Sequence, residues 1–155
     1  MQGLSKHSNR TDCWGTPAHI KEQYKDWYDP CPFPRPDDFD GLTAEWGDKT
    51  FVNPPFSRIG PWAKKARDEW LKGKTVHMFI PARVNKHYFH DFILPHARLE
   101  FPRGAIDFVP LIGQNTRHGG SMNDFMWCKF EPRGQREAET ALTAAAGTLT
   151  APSGR

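Results

Sequence analysis

The chain has 155 residues, of which 37% are hydrophobic and 13% aromatic, enough for one folded domain with a single core. This composition excludes a wholly disordered chain, and the formal net charge of +3 permits a polyanionic partner without requiring one. No long apolar run occurs and residues 1–10 are polar, so we expect a cytoplasmic protein without a membrane span or secretory signal. Cys13, Cys31 and Cys128 are an odd number without CxxC spacing, which predicts neither a disulfide framework nor a metal site.

Residue types divide the chain into three parts. We predict a flexible N-terminus over residues 1–10, a folded domain over residues 11–130 and a disordered C-terminal tail over residues 131–155. The tail lacks aromatic anchors and contains at most a weak helix over residues 137–146.

The predicted elements of the first half begin with a helix that has Thr16 as its cap, Pro17 at its first position and Tyr24 as its end. A short strand is predicted over residues 27–29. A second, buried strand is predicted over residues 49–52, where the prolines at 54 and 55 stop it.

In the second half, Pro61 predicts the first turn of a helix over residues 62–71 that Gly73 closes. A strand over residues 75–80, a helix over about 85–94, and apolar segments over 97–101 and 123–130 follow. Alternating strands and helices predict an α/β fold whose mainly parallel sheet carries helices on both faces. Such sheets bind ligands beyond the carboxyl ends of their strands.

Asn53-Pro54-Pro55-Phe56, the NPPF loop, has a chemical rationale. An aromatic amine is a poor nucleophile because its lone pair is delocalised into the ring. Two acceptors, the Asn53 side-chain oxygen and the Pro54 carbonyl, would receive both amine hydrogens and favour a tetrahedral nitrogen. Proline fixes φ and has no N–H, and Phe56 offers a face for stacking on an extruded base. A double-proline turn with an exposed aromatic residue is an equally valid interpretation of these four residues taken alone.

The stretch from Asp12 to Phe130 resembles the phage and prophage DNA adenine-N6 methyltransferase (Dam-like phage) family. The resemblance rests on six motifs in the family's order: Trp14-Gly15-Thr16-Pro17, Asp29-Pro30-Cys31, Asp40-Gly41-Leu42 with Trp46, Asn53-Pro54-Pro55-Phe56, Ile80-Pro81-Ala82-Arg83, and Arg103-Gly104 with Phe108. It implies a compact Rossmann-like, S-adenosylmethionine-dependent methyltransferase sheet. The implied activity is transfer of a methyl group to the N6 amine of a flipped adenine in double-stranded DNA, by a phage- or prophage-encoded enzyme in the host cytoplasm.

The resemblance also implies roles for individual residues. Thr16 and Pro17 would lie against the methionine end of the cofactor, Asp29 would face its amino group, and Asp40 would bind its adenine amine. The full implied cofactor set is Trp14, Thr16, Pro17, Asp29, Pro30, Cys31 and Asp40. The implied catalytic set is Asn53, Pro54, Pro55 and Phe56, and the implied DNA or substrate contacts are Arg58, Arg83, Arg103 and Arg117. No metal is implied.

Simpler explanations exist for several of these residues. Thr16-Pro17 is also a common helix start, Asp29-Pro30 and Asp40-Gly41 are common turn pairs, and Arg83 and Arg103 are equally compatible with surface charges. Aromatic residues of the two later helices are expected to pack against the sheet: Trp62, Trp70, Tyr88, Phe89 and Phe92. The histidines at 77, 87 and 90 are expected to be structural or surface residues.

Two features depart from the family's pattern. No glycine-rich turn follows the strand predicted over residues 27–29, and only 23 residues, 30–52, separate Asp29 from Asn53. An acidic partner for the cofactor's ribose is therefore absent or supplied by Asp37 or Asp38.

Two other classes of function stay open. A loop of this type also suits amines in RNA or glutamine side chains in proteins. A catalytically silent module that binds DNA or a partner protein would retain the fold without the cofactor. The sequence predicts no oligomeric state.

Overall fold

The computed structural model describes residues 14–106, 109–110, 124–134, 141–142 and 144–145. Its elements, in chain order, are β1 (Trp14–Gly15), α1 (Ala18–Gln23), β2 (Lys49–Val52), α2 (Ile59–Leu71), β3 (Thr75–Pro81), a π-helix (Phe89–Ile93), β4 (Arg98–Glu100), β5 (Val109–Pro110) and β6 (Phe125–Phe130). The predicted N-terminal segment 1–10, Cys13, Phe108 and Arg117 lie outside the described residues. Among the described residues, every helix is too short or too polar to span a bilayer.

Four strands form one open sheet in the order β2-β3-β6-β4, and β1 pairs separately with β5. β2 is parallel to β3, whereas β6 is antiparallel to both β3 and β4. Strands β2, β3 and β4 therefore run in one direction and β6 runs against them. The α/β class is confirmed, but the prediction of a mainly parallel sheet is wrong: of the pairs in this described sheet only β2 and β3 are parallel, so the sheet is mixed. The sequence could not show this, because a buried strand has the same apolar pattern in either direction.

Helices cover both faces of this sheet, as predicted. Along β3, Val76, Met78 and Ile80 face α2 and the π-helix, while Phe79 on the opposite face packs in a cluster with residues of α1. This alternation follows from the two-residue period of a strand. Burial of each large apolar side chain in these layers stabilises the fold by roughly 1.5–3 kcal/mol.

The start of α1 corrects one prediction. Pro17, not Thr16, is the N-cap, and no side chain caps the helix. The Thr16 hydroxyl instead accepts a hydrogen bond from Asn53, 37 positions along the chain. A tertiary partner has therefore replaced the local capping interaction that the sequence predicts.

The predicted length of the strand over residues 27–29 is also wrong. It contracts to one parallel bridge between Tyr28 and Thr50, in which the Tyr28 amide donates to Lys49 and its carbonyl accepts from Phe51. Pro30 has no N–H with which to continue the ladder. The bridge nevertheless places residue 28 beside β2 and parallel to it.

The two later helices largely agree with the sequence. α2 begins at Ile59, keeps Pro61 in its first turn and is followed by Gly73 at a φ of +93°, a left-handed conformation that favours glycine. The helix predicted over about 85–94 contains the π-helix. Its aromatic residues and those of α2 pack in the core, which confirms their predicted role: Trp62, Trp70, Tyr88, Phe89 and Phe92.

A buried polar network occupies the amino edge of the sheet. His77 lies 2.9 Å from the Tyr24 hydroxyl through Nδ1 and 3.1 Å from Glu131 through Nε2, and Arg98 also donates to Glu131. Burial lowers the pKa of His77 to about 4, with Lys129 lowering it further and Glu131 opposing the shift. Glu131, the first residue of the predicted tail, is 7% exposed and packs against the sheet through these contacts.

Candidate active site

The shared direction of β2, β3 and β4 places the segments that follow them at one edge of the sheet, the carboxyl edge. The bridge at Tyr28, which runs parallel to β2, adds Asp29-Pro30-Cys31 to this edge. The NPPF loop follows β2, Ala82-Arg83 follows β3, and Arg103-Gly104 comes shortly after β4. Four of the predicted motifs therefore meet at the edge where open α/β sheets bind ligands.

Asn53 is the most informative side chain at this edge. Its Nδ2 donates to Thr16 Oγ1 at 2.9 Å, which fixes the orientation of the amide. Its Oδ1 is buried and receives no hydrogen bond within the described part of the chain. An unpaired buried acceptor costs about 1–3 kcal/mol, which makes this oxygen a candidate contact for a ligand.

The rest of the NPPF loop is held against the protein. Pro54 is buried, and Phe56 is half-buried with its ring centroid 5.7 Å from that of Phe125 at a tilt of 56°. The amide of Arg58 donates to Pro55 at 3.0 Å and leads directly into α2. The interpretation as a turn with an exposed aromatic residue is therefore wrong for Phe56.

The three described arginines of the implied DNA set have different surroundings. Arg58 and Arg103 are exposed, and Arg103 precedes Gly104 at a φ of +92°. Arg83 is half-buried, and its Nη1 donates to the Phe56 carbonyl at 2.9 Å. Arg83 therefore contacts the NPPF loop itself, whereas Arg58 and Arg103 are exposed to solvent.

Two implied cofactor motifs touch each other. Asp29 accepts from the Cys31 amide at 2.8 Å, and Asp40 accepts from the Leu42 amide at 2.9 Å, so both aspartates close local turns. A Cβ at Gly41 would lie 2.0 Å from the Pro30 carbonyl oxygen, and only glycine permits this approach.

Trp46, which the sequence groups with Asp40-Gly41-Leu42, donates from its indole nitrogen to the Gly41 carbonyl at 2.7 Å. The conformation that lets Gly41 approach Pro30 is therefore fixed from the core side as well.

Electrostatics distinguish the groups of the Asp29-Pro30-Cys31 segment. Desolvation raises the pKa of Asp29, opposed by the Cys31 amide and by Lys21. Burial also raises the pKa of the Cys31 thiol far above its usual range, which favours its protonated form. No group of three or more His, Cys, Asp or Glu in the described ranges could hold a metal ion.

Sequence reasoning missed the contacts that organise this site. The Thr16–Asn53 and Arg83–Phe56 hydrogen bonds join residues 37 and 27 positions apart, and no local pattern signals either pair. Trp14 lies in β1 and Pro17 is buried at the start of α1, so both flank Thr16 along the chain. The buried Tyr88 hydroxyl, also without a partner among the described residues, was not predicted either.

Comparison with known proteins gives a family. A family model described as DNA N-6-adenine-methyltransferase (Dam) matches residues 35–138. Asp40, the NPPF loop and the four arginines lie inside this range, whereas Trp14 to Cys31 lie before it. No curated protein and no solved structure matches the chain. Because the matched range spans more than half of the chain, the protein belongs to the DNA N-6-adenine-methyltransferase (Dam) family.

Proposed function

We propose that this protein transfers a methyl group from S-adenosylmethionine to the N6 amine of adenine at specific sites in double-stranded DNA. The observation that carries the proposal is the buried Oδ1 of Asn53 at the carboxyl edge, which has no hydrogen-bond partner in the described part of the chain. Family membership supports adenine in DNA as the substrate.

In this proposal the NPPF loop acts on the target amine through two acceptors. Asn53 Oδ1 takes one amine hydrogen and the Pro54 carbonyl takes the other, which favours the tetrahedral nitrogen of the transition state. The nitrogen releases its proton after it has become cationic, so no general base has to act before transfer. S-adenosylmethionine, when bound, supplies the methyl group in an activated sulfonium form.

The chemistry of the first motifs fits the cofactor. Asp29 provides a carboxylate directly after Tyr28, which bridges to β2. Asp40 lies in the turn whose Gly41 packs on Pro30. We assign the cofactor's amino group to Asp29 and its adenine amine to Asp40, with Trp14, Pro17, Pro30 and Cys31 as surrounding contacts. Thr16 is assigned to the orientation of Asn53, because its hydroxyl is engaged there.

We further propose that the sheet is a shortened Rossmann-like methyltransferase sheet. The common direction of β2, β3 and β4 and the helices on both faces support this. The proposed catalytic domain spans residues 11–130 together with Glu131, which the amino-edge network includes.

DNA recognition is proposed to use the exposed cations at the carboxyl edge. Arg58 and Arg103 would contact phosphates, with Arg117 as a further contact, and such contacts hold DNA in register without reading sequence. The flipped adenine would stack on Phe56.

Transfer from labelled S-adenosylmethionine to duplex DNA, RNA or a glutamine-containing protein tests the function. We expect label in DNA, recovered as N6-methyladenine. Label entering only RNA or protein would replace the proposed substrate.

Calorimetric titration with the cofactor, run in parallel, tests the silent module. Retained DNA binding without cofactor binding would identify a silent module and overturn the proposed activity.

A further inference from the structure

We propose that Arg83 is a positioning residue that holds the NPPF loop in its reactive geometry, rather than a contact to DNA phosphate. This inference rests on the proposed function of the loop. The contact that carries it is the 2.9 Å hydrogen bond from Arg83 Nη1 to the Phe56 carbonyl.

The backbone that carries Arg83 is anchored to the sheet. The Arg83 amide donates to Pro81 at 2.9 Å, and the preceding amide of Ala82 donates to Asp124, just before β6, at 2.7 Å. The side chain then crosses from the end of β3 to the segment that follows β2. Since β2 and β3 are parallel neighbours, Arg83 ties their two carboxyl ends together.

The loop is consequently fixed on both sides of its prolines. Thr16 holds the Asn53 side chain before them, and Arg83 holds the Phe56 carbonyl after them. A guanidinium makes a charge-assisted hydrogen bond, which is stronger than a neutral one. The Pro54 carbonyl, the second proposed acceptor, lies between these two fixed points, so its direction depends on both.

The surroundings of Arg83 also distinguish it from a phosphate-binding arginine. Arg83 is half-buried, whereas Arg58, two residues after Phe56, is exposed. Arg83 is also close enough to Tyr88 to oppose the rise that burial causes in the pKa of that tyrosine. Its guanidinium therefore lies against the loop, where it donates to the Phe56 carbonyl.

The test compares Arg83→Met, which keeps an apolar stem, with Arg83→Lys, which restores a donor. In Arg83→Met we expect kcat for DNA methylation to fall roughly ten- to hundredfold, because small misplacements of reacting groups have effects of that size. KM for DNA and the salt dependence of DNA binding should stay unchanged. Arg83→Lys should recover part of kcat.

Two comparison variants separate positioning from charge. Arg58→Met should weaken DNA binding and reduce its slope against log salt by about one, as expected for loss of a phosphate contact. Lys25→Met, at an exposed ion pair with Glu22, removes a charge away from the loop and should change neither quantity. If Arg83→Met instead behaves like Arg58→Met, with an unchanged kcat, the inference is overturned.

Hydrogen exchange gives a readout that does not depend on methylation. We expect the amides of residues 56–58 to exchange faster in Arg83→Met, with those of β3 unchanged. Unchanged exchange at residues 56–58 would contradict the positioning role even if the protein proved inactive on DNA. Faster exchange in a protein that methylates no DNA would instead leave the contact standing and remove the proposed function.

Discussion

The two edges of the sheet differ in the hydrogen bonding of their buried polar side chains. At the amino edge, His77 has a partner at each ring nitrogen. One of these partners is Glu131, which also accepts a hydrogen bond from Arg98. At the carboxyl edge, Asn53 presents a buried oxygen with no donor among the described residues. Paired groups stabilise a fold, and an unpaired buried acceptor destabilises it. We therefore propose that the carboxyl edge binds a ligand and that the amino edge stabilises the fold.

The largest effect is expected at the unpaired oxygen. Asn53→Ala should lower kcat for DNA methylation by roughly 10²–10³-fold, the usual result of removing one preorganised transition-state contact. Cofactor affinity should change little. The free energy of unfolding should move by no more than about 1 kcal/mol, because loss of the Nδ2–Thr16 hydrogen bond is offset by removal of a buried Oδ1 that has no donor among the described residues. Kinetics, calorimetry and denaturant unfolding measure the three quantities. Loss of cofactor binding in this variant would mean that Asn53 has another role.

The amino edge should show the reverse pattern. Glu131→Gln should reduce the free energy of unfolding by about 2 kcal/mol, since hydrogen bonds to charged partners are lost, and should leave kcat unchanged. Glu22→Gln, at an exposed pair with Lys25, is the matched control and should cost less than about 0.5 kcal/mol. Equal costs in the two variants would show that the buried network does not stabilise the fold.

Stability should also depend on pH through His77. Its pKa is lowered from 6.5 to about 4, so the unfolded chain binds the proton more tightly and stability falls as the pH drops below 6.5. Between pH 6.5 and pH 5 the loss should be about 1–2 kcal/mol. Glu69, whose pKa is lowered to about 2 by three lysines against the effect of burial, loses its contribution only below pH 4.5.

His77→Gln is the control for that pH dependence, because an amide can still pair with Tyr24 and Glu131. Free energies of unfolding from urea titrations should depend less on pH between pH 5 and pH 6.5 in this variant than in the unsubstituted protein. An unchanged slope would place the titration on another group.

The smallest effect is expected at Thr16. Thr16→Val removes the acceptor that orients the Asn53 amide and should lower kcat about tenfold, equivalent to about 1.4 kcal/mol. Thr16→Ser keeps the hydroxyl and should retain most of the activity. Equal rates in the valine and serine variants would show that the Thr16 contact does not orient Asn53.

The sequence predicts the parts of the fold that depend on local pattern. β2 and β3 are rich in β-branched and apolar residues, and α2 has a first-turn proline and a glycine just after its end. All three elements therefore agree with the sequence prediction to within a few residues. The direction of β6 was not predictable, because antiparallel and parallel pairing suit the same side chains. The NPPF loop is recognisable since its four residues are contiguous.

The contacts that organise the site were not predictable in the same way. Thr16 matches a cap and Arg83 matches a surface cation when each is judged by its neighbours in sequence. Glu131 likewise resembles the start of a polar tail, although His77, 54 positions earlier, holds it in the core. In each case a tertiary partner decides the role of the side chain.

The central claim concerns one hydrogen bond, from the target amine to Asn53 Oδ1. The most direct measurement is a crystal structure with a cofactor analogue and an unmethylated duplex that contains the sequence on which the enzyme acts. We predict the adenine N6 within about 2.7–3.2 Å of Asn53 Oδ1, with the Asn53 amide still bound to Thr16. An adenine bound elsewhere, or an Asn53 oxygen that meets only apolar side chains in that complex, would contradict the account.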